Sequence, residues 1–401
     1  MAARIYADHA ATTPVRDEVL AAMLPYFGAC GFNASSLHAE GRAARAALDD
    51  ARARVARLIG AAAREIVFTG GGSEADCLAI VGAARAARGR GGHVITAATE
   101  HHAVLHAAGL LRDEGFEVTV LPVDGEGRLD RASYVAALRP DTVLVTLMLA
   151  NNELGTLHPV ADLARAARSR GILFHTDAVQ APGRVPIDAG ELGVDLLSLS
   201  AHKFYGPKGV GALYVRAGTP VAPLVVGGSQ ESGLRAGTEN VAGIVGFARA
   251  LELAVAELPA EAERLRSLRD RFERALLAAL PHVRVNGAEG LRLPNVSSVA
   301  FGGVDATTLL VRLDLDGVAA SAGSACAAGA TEPSHVLAAI GAPAWAATGT
   351  LRFSFGKLTT EEDVERLQTM LPGVVTNLRV ADPDLGTSAS GSTWGRSEVR
   401  P

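Results

Sequence analysis

Between residues 65 and 215, short apolar runs alternate with amphipathic stretches, and few folds can accept that alternation. The runs at 65–69, 93–97, 117–121, 142–149, 171–175, 194–197 and 211–215 have the length and composition of buried strands. Helical patterns lie between them at 75–87, 101–112, 130–138 and 160–170. Parallel strands need crossover connections, usually helices, and these cover both faces of the sheet. The pattern therefore predicts an α/β fold around a mostly parallel sheet. Ligands of such sheets bind at the carboxyl ends of the strands.

Several of these strand ends carry reactive side chains. Lys203 sits in the tight loop Ser198-Leu199-Ser200-Ala201-His202-Lys203-Phe204-Tyr205-Gly206-Pro207-Lys208-Gly209, between two strands. A lone lysine is usually a surface charge, but small, hydroxylated and aromatic residues flank this one. A desolvated lysine becomes a nucleophilic amine and forms Schiff bases with aldehydes. Pyridoxal 5'-phosphate (PLP) needs such a lysine and a carboxylate on its ring nitrogen. Asp177, at the end of the run Ile172-Leu173-Phe174-His175-Thr176-Asp177, is the candidate carboxylate. Polar groups also close two other strands, at 99–102 and 151–155.

Gly70-Gly71-Gly72-Ser73-Glu74 follows the first of the seven runs and precedes a helix. Such a turn can bring backbone N–H groups to a phosphate, although a glycine turn is more often simple punctuation. It matches neither the Walker pattern nor the dinucleotide glycine pattern.

Before the alternating region, a helix is predicted at 16–26, a loop at 28–38 and a helix at 41–59. A glycine-rich loop covers 224–237, and a long helical stretch begins near Val241 and reaches 279. A smaller domain should follow, with strands near 283–285, 296–301 and 351–355 and a helix at 306–313. A closing helix is predicted at 360–380, with Pro372 as an interruption. Residues 381–401, rich in Ser, Gly and Pro, read as a disordered tail.

The chain has 401 residues, which is long for a single core. The net charge is -5 and no basic stripe stands out, which argues against nucleic acid as a ligand. No apolar run reaches membrane-spanning length, and the first residues lack the apolar core of a signal peptide. Three cysteines make no disulfide framework, so a reducing cytoplasm is expected. They do not cluster with histidines at metal-site spacing. Cys30 and Cys77 read as structural. Cys326 lies in Ser321-Ala322-Gly323-Ser324-Ala325-Cys326-Ala327-Ala328-Gly329-Ala330, a run of small residues. A buried thiol is the common reading of such a cysteine; a mobile loop presenting a thiolate is the alternative.

Taken together, these segments resemble the cysteine desulfurases, PLP-dependent relatives of the class V aminotransferases. The resemblance runs from Tyr6-Ala7-Asp8-His9-Ala10-Ala11-Thr12-Thr13-Pro14 to Leu351-Arg352-Phe353-Ser354-Phe355-Gly356. Its most specific parts are the Lys203 segment, Asn151-Asn152-Glu153-Leu154-Gly155, His175-Thr176-Asp177-Ala178-Val179-Gln180 and the Cys326 run, which resembles the class I branch. It implies fold type I: a large domain with a mostly parallel seven-stranded sheet between helices, plus a smaller α+β domain. On that basis residues 16–250 form the large domain and 251–380 the small one, which the segment 1–15 joins.

The resemblance also implies roles. Lys203 holds PLP, Asp177 pairs with the ring nitrogen, and His101 lies over the ring as acid and base. Asn152 and Gln180 bond the ring-hydroxyl side. Gly72, Ser73, Ser200 and His202 bind the phosphate, with Thr238 arriving from the other subunit of a homodimer. Arg352 clamps the carboxylate of L-cysteine with help from Asn33, and Cys326 takes the sulfur. A protein sulfur acceptor, in iron–sulfur cluster assembly or tRNA thiolation, is the implied partner. Ser73 stands where the family usually has Thr, and Ala34 where it usually has Pro. Residues 28–31 look lengthened. A selenocysteine lyase or aminotransferase explains Lys203 and Asp177 but leaves the Cys326 run idle. A non-catalytic sulfur-carrier scaffold does not explain the intact set.

Overall fold

The computed structural model describes residues 4–323 and 334–381. Cys326 and the tail beyond residue 381 lie outside the described residues. The chain opens on a short strand, β1 (Ile5–Tyr6), followed by helices Asp17–Met23 and Ala39–Leu58. It then builds β2 (Ile66–Thr69), β3 (His93–Ala97), β4 (Glu117–Leu121), β5 (Thr142–Thr146), β6 (Leu173–Asp177), β7 (Leu196–Ser200) and β8 (Gly211–Val215).

These seven strands form one sheet in the order β2-β8-β7-β6-β5-β3-β4. Pairing is parallel from β4 through β3, β5 and β6 to β7, and β8 runs antiparallel to both its neighbours. Side chains alternate between two apolar cores. Ile95, Val145, Phe174 and Leu197 enter one core, while Val94, Leu144, Leu173 and Leu196 enter the other. Burial on both faces explains why the runs read as continuously apolar.

A second architecture follows: β9 (Val283–Asn286), β10 (Val296–Phe301), β11 (Val318–Ala319) and β12 (Thr350–Ser354). β10 lies between β12 and β9, antiparallel to both, and β1 pairs parallel with β11. Ile5, Phe272, Phe301, Phe353 and Phe355 fill this core. The helix Val241–Ala279 links this core to the sheet: Val241, Ile244 and Phe247 share a core with Ile95 and Phe174, and Leu265, Leu268 and Phe272 share one with Phe301 and Phe353.

Several expectations need correction. The helix expected to start at Ala75 starts at Gly72, and Leu78–Gly82 within it is a π-turn. The strand expected to reach Leu149 leaves the ladder at Thr146. Pro372 does not break the closing helix, which runs from Glu361 to Ala381. One lost N–H bond there is offset by the buried flanks Leu371 and Val375. The short helices His335–Ala339 and Ala344–Thr348 carried too weak a pattern to be read.

Candidate active site

β7 ends at Ser200, and the chain turns at once through a 3-10 turn, Ala201–Lys203. Phe204 anchors the turn edge-to-face against Phe247, with centroids 5.2 Å apart. Tyr205 adopts a left-handed φ of 67°, a conformation that costs a non-glycine residue energy and tends to persist at functional sites. Its N–H donates to Thr13 Oγ1 at 2.7 Å, and its hydroxyl accepts from the Lys357 N–H at 2.6 Å. The strained turn is therefore fixed from two sides. It directs Lys203 Nζ toward the Ala10 and Ala11 carbonyls, each accepting at 2.8 Å.

Asp177 is the last residue of β6, next to β7 in the sheet. Its Oδ1 accepts from the Val179 N–H at 2.8 Å. Burial pushes its carboxyl above the usual range, partly offset by His101 and Lys203. His101 caps the helix His102–Asp113, its Nδ1 accepting from the Ala103 N–H at 3.1 Å. That bond puts the proton of the neutral ring on Nε2. Burial holds its pKa below the ordinary histidine value, against the pull of Asp177.

Gly72, Ser73, His101, Asn152, Asp177, Gln180, Ser200, His202, Lys203 and Arg352 all line one cavity of about 180 Å3. Gln180 Nε2 donates to the Ala10 carbonyl at 3.0 Å. His202 Nδ1 shares a 3.1 Å hydrogen bond with Thr12 Oγ1, and burial pushes its pKa down to about 4. Arg352, on β12, is 2% exposed. It donates to the Asn152 carbonyl at 2.9 Å and to Asp8 Oδ1 at 2.8 Å.

Two expected residues do not join the cavity. Asn33 is exposed, and its Oδ1 accepts from the Ser35 N–H at 2.8 Å, closing a local turn. Thr238 is also exposed and away from the cavity of its own chain.

Sequence reasoning missed four others. Asp8, the ion-pair partner of Arg352, lay unremarked within the first motif. Asp76 lines the cavity one helical turn after Ser73, a spacing that places both on one face. Glu100 is fully buried and accepts from the Met148 N–H at 2.8 Å. Glu153 accepts from the Ser334 hydroxyl at 2.6 Å, a contact between residues 181 apart in the chain that no local pattern signals.

The cavity suits PLP in both shape and chemistry. A Cβ at Gly72 would come within 2.9 Å of Val179 Cγ2 and 3.3 Å of Ser200 Cβ, so glycine keeps that end open. Ser73, Ser200 and His202 supply polar groups at the cavity wall, a buried carboxylate comes from Asp177, and Lys203 supplies the amine. The Arg352 Nε, buried and unpartnered, leaves donor capacity for a ligand.

Comparison with known proteins agrees with this arrangement. The aminotransferase class-V family profile matches residues 5–367. A cysteine desulfurase IscS from Dictyoglomus turgidum is 49% identical over 96% of this chain and 97% of its own length. A cysteine desulfurase from Cereibacter sphaeroides is 50% identical over 95% of this chain and 98% of its own. Among solved structures, a NifS-like protein superposes with a TM-score of 0.88 at 37% identity, covering 93% of this chain and all of that one (100%). A structure of SspA in complex with cysteine superposes at 0.77 with 38% identity, covering 88% and 98%. The chain belongs to the aminotransferase class-V family, among its cysteine desulfurases.

Proposed function

We infer that the protein is a PLP-dependent cysteine desulfurase, which converts L-cysteine to L-alanine and passes the sulfur on. The observation that carries this is the convergence of Lys203, Asp177, His101 and Arg352 on one buried cavity. Lys203 would hold the cofactor covalently, Asp177 its ring nitrogen, and Asn152 and Gln180 its hydroxyl side. Gly72, Ser73, Ser200 and His202 would take the phosphate. PLP, when bound, supplies an electron sink for the substrate's α-carbon.

The chain's own residues supply the rest. Arg352, already fixed by Asp8 and Asn152, offers a rigid planar fork for the substrate carboxylate. Lys203, with its amine free, would be the base beside the substrate's α-carbon. His101, neutral and carrying its proton on Nε2, is placed to move a proton at the cavity wall. Cys326, outside the described residues, attacks the substrate sulfur as a thiolate. An S–S bond forms and the C–S bond breaks. L-cysteine and the Cys326 thiol thus become L-alanine and a Cys326 persulfide, which a protein acceptor relieves of its outer sulfur. Iron–sulfur cluster assembly and tRNA thiolation are the acceptor pathways that fit this output.

The same reading makes the protein a homodimer, with Thr238 of each chain completing its partner's phosphate site and Asn33 assisting Arg352. Exposed Thr238 supports this, as do Leu24, Phe27 and Leu37, which are 58%, 67% and 90% exposed and call for a covering surface. The separation of the core around Phe272 and Phe353 from that around Phe174 and Phe247, with the β1–β11 pairing, supports a large domain at 16–250 and a small one at 251–380, which residues 1–15 join. Among the described residues no helix is long and apolar enough to cross a membrane; a cytoplasmic location rests on the cysteine usage. Purified protein given L-cysteine and a thiol reductant, which reduces the persulfide, should release alanine and sulfide in equal amounts, and production of neither would refute the assignment.

A further inference from the structure

Asp76 belongs to none of the roles above, yet it lines the same cavity and is only 1% exposed. Its Oδ1 has no hydrogen-bond partner. Asp177 and Glu100 are buried beside it, so three carboxyls share one water-poor region. A cluster of that kind cannot hold three negative charges without matching cations.

Of the basic groups that line this cavity, Lys203 and His101 act on Asp177. His175 Nε2 lies 3.7 Å from Asp76 Oδ1, too far for a hydrogen bond. His175 is already engaged, with Thr146 Oγ1 at 2.8 Å on Nδ1 and Ser198 Oγ at 2.9 Å on Nε2. Burial pushes the pKa of His175 down to about 3, so the ring is neutral. Burial first, and then Asp177 and Glu100, push the Asp76 carboxyl up, against a hydrogen bond from Ser198. Glu74 and Cys77, its neighbours on the same helix, supply no positive charge.

We propose that Asp76 is a positioning residue that stays a neutral carboxylic acid beside Asp177, leaving one negative charge to face the cofactor ring. This rests on the reading of the cavity as a PLP site. Asp177 can ionise against the ring nitrogen only if its buried neighbour keeps a proton. Asp76 keeps it, and the Ser198–His175–Thr146 chain stays uncharged around it. A group that is already neutral is closely mimicked by asparagine; one that is ionised is not.

The test compares wild type with Asp76→Asn as holoproteins. Infrared difference spectra should show the C=O stretch of a protonated carboxyl at neutral pH in the wild type and its loss in the variant. The pH midpoint of the bound cofactor's visible absorbance should stay in place, because no charge has been removed. If Asp76 is ionised, the stretch will be missing from the difference and the midpoint will move by about one pH unit or more, overturning the proposal. Should Asp76→Asn fail to fold, Asp76→Ser gives the same infrared comparison. If the protein takes up no PLP, the reading of the site fails, while the infrared difference on the protein as isolated still decides the protonation of Asp76.

Discussion

Arg352 and Asp8 form an ion pair at 2.8 Å across the cavity wall, joining β12 to the segment that follows β1. The guanidinium is 2% exposed and also donates to the Asn152 carbonyl, so its orientation is set before any substrate binds. Arg352→Lys keeps the charge and loses the fork. It should raise KM for L-cysteine and lower kcat/KM by roughly 10- to 100-fold, since charged hydrogen bonds contribute about 1.5–3 kcal/mol. Steady-state kinetics reads this directly. Asp8→Ala leaves a buried charge without its partner and should destabilise the fold by about 3 kcal/mol, seen as a lower denaturation midpoint.

Lys203 is held by two main-chain carbonyls in a turn braced by Tyr205 and Phe204. Borohydride should fix PLP irreversibly to the peptide containing Lys203. Lys203→Ala should bind PLP reversibly and carry no fixed label. Label on another lysine would contradict the assignment.

Thr238 is exposed and remote from its own cavity. The holoprotein should therefore elute as a dimer, and Thr238→Ala should weaken PLP binding without changing the elution volume. A fully active monomer would remove the basis for a shared phosphate site.

His158 is buried, neither ring nitrogen has a partner, and burial pushes its pKa down to about 4. Its unfolded value lies near 6.5. Between those values the unfolded chain binds a proton that the folded chain does not, so this stability is present above pH ~6.5 and is lost as the pH falls. Relative to His158→Leu, the wild type should lose up to about 1.4 kcal/mol per pH unit across that window. Urea denaturation at several pH values measures it, and a pH-independent difference would contradict the burial argument.

The central sheet was legible because burial on both faces leaves continuous apolar runs, and Lys203 and Asp177 because they close two of those runs. Strand limits slipped where the chain leaves the ladder without losing its apolar character, as at 147–149. Asp8 and Glu153 escaped notice because their partners lie far along the chain, and carboxylates in polar segments look solvated from sequence alone. Asp76 escaped for a different reason: the turn was read as ending at Glu74 and the helix as starting at Ala75, so its kinship with Ser73 was hidden. Asn33 and Thr238 show the converse, since motif position marked them but the fold of a single chain does not bring them to the cavity.

The most direct test of the whole account is mass spectrometry of the peptide containing Cys326 after one exposure to L-cysteine, with alanine measured in the same sample. The wild type should carry one additional sulfur on that peptide and release alanine, while Cys326→Ser should still bind PLP and L-cysteine yet lose alanine formation by orders of magnitude. Near-normal turnover of L-cysteine by Cys326→Ser, or alanine released with no sulfur gained on Cys326, would contradict it.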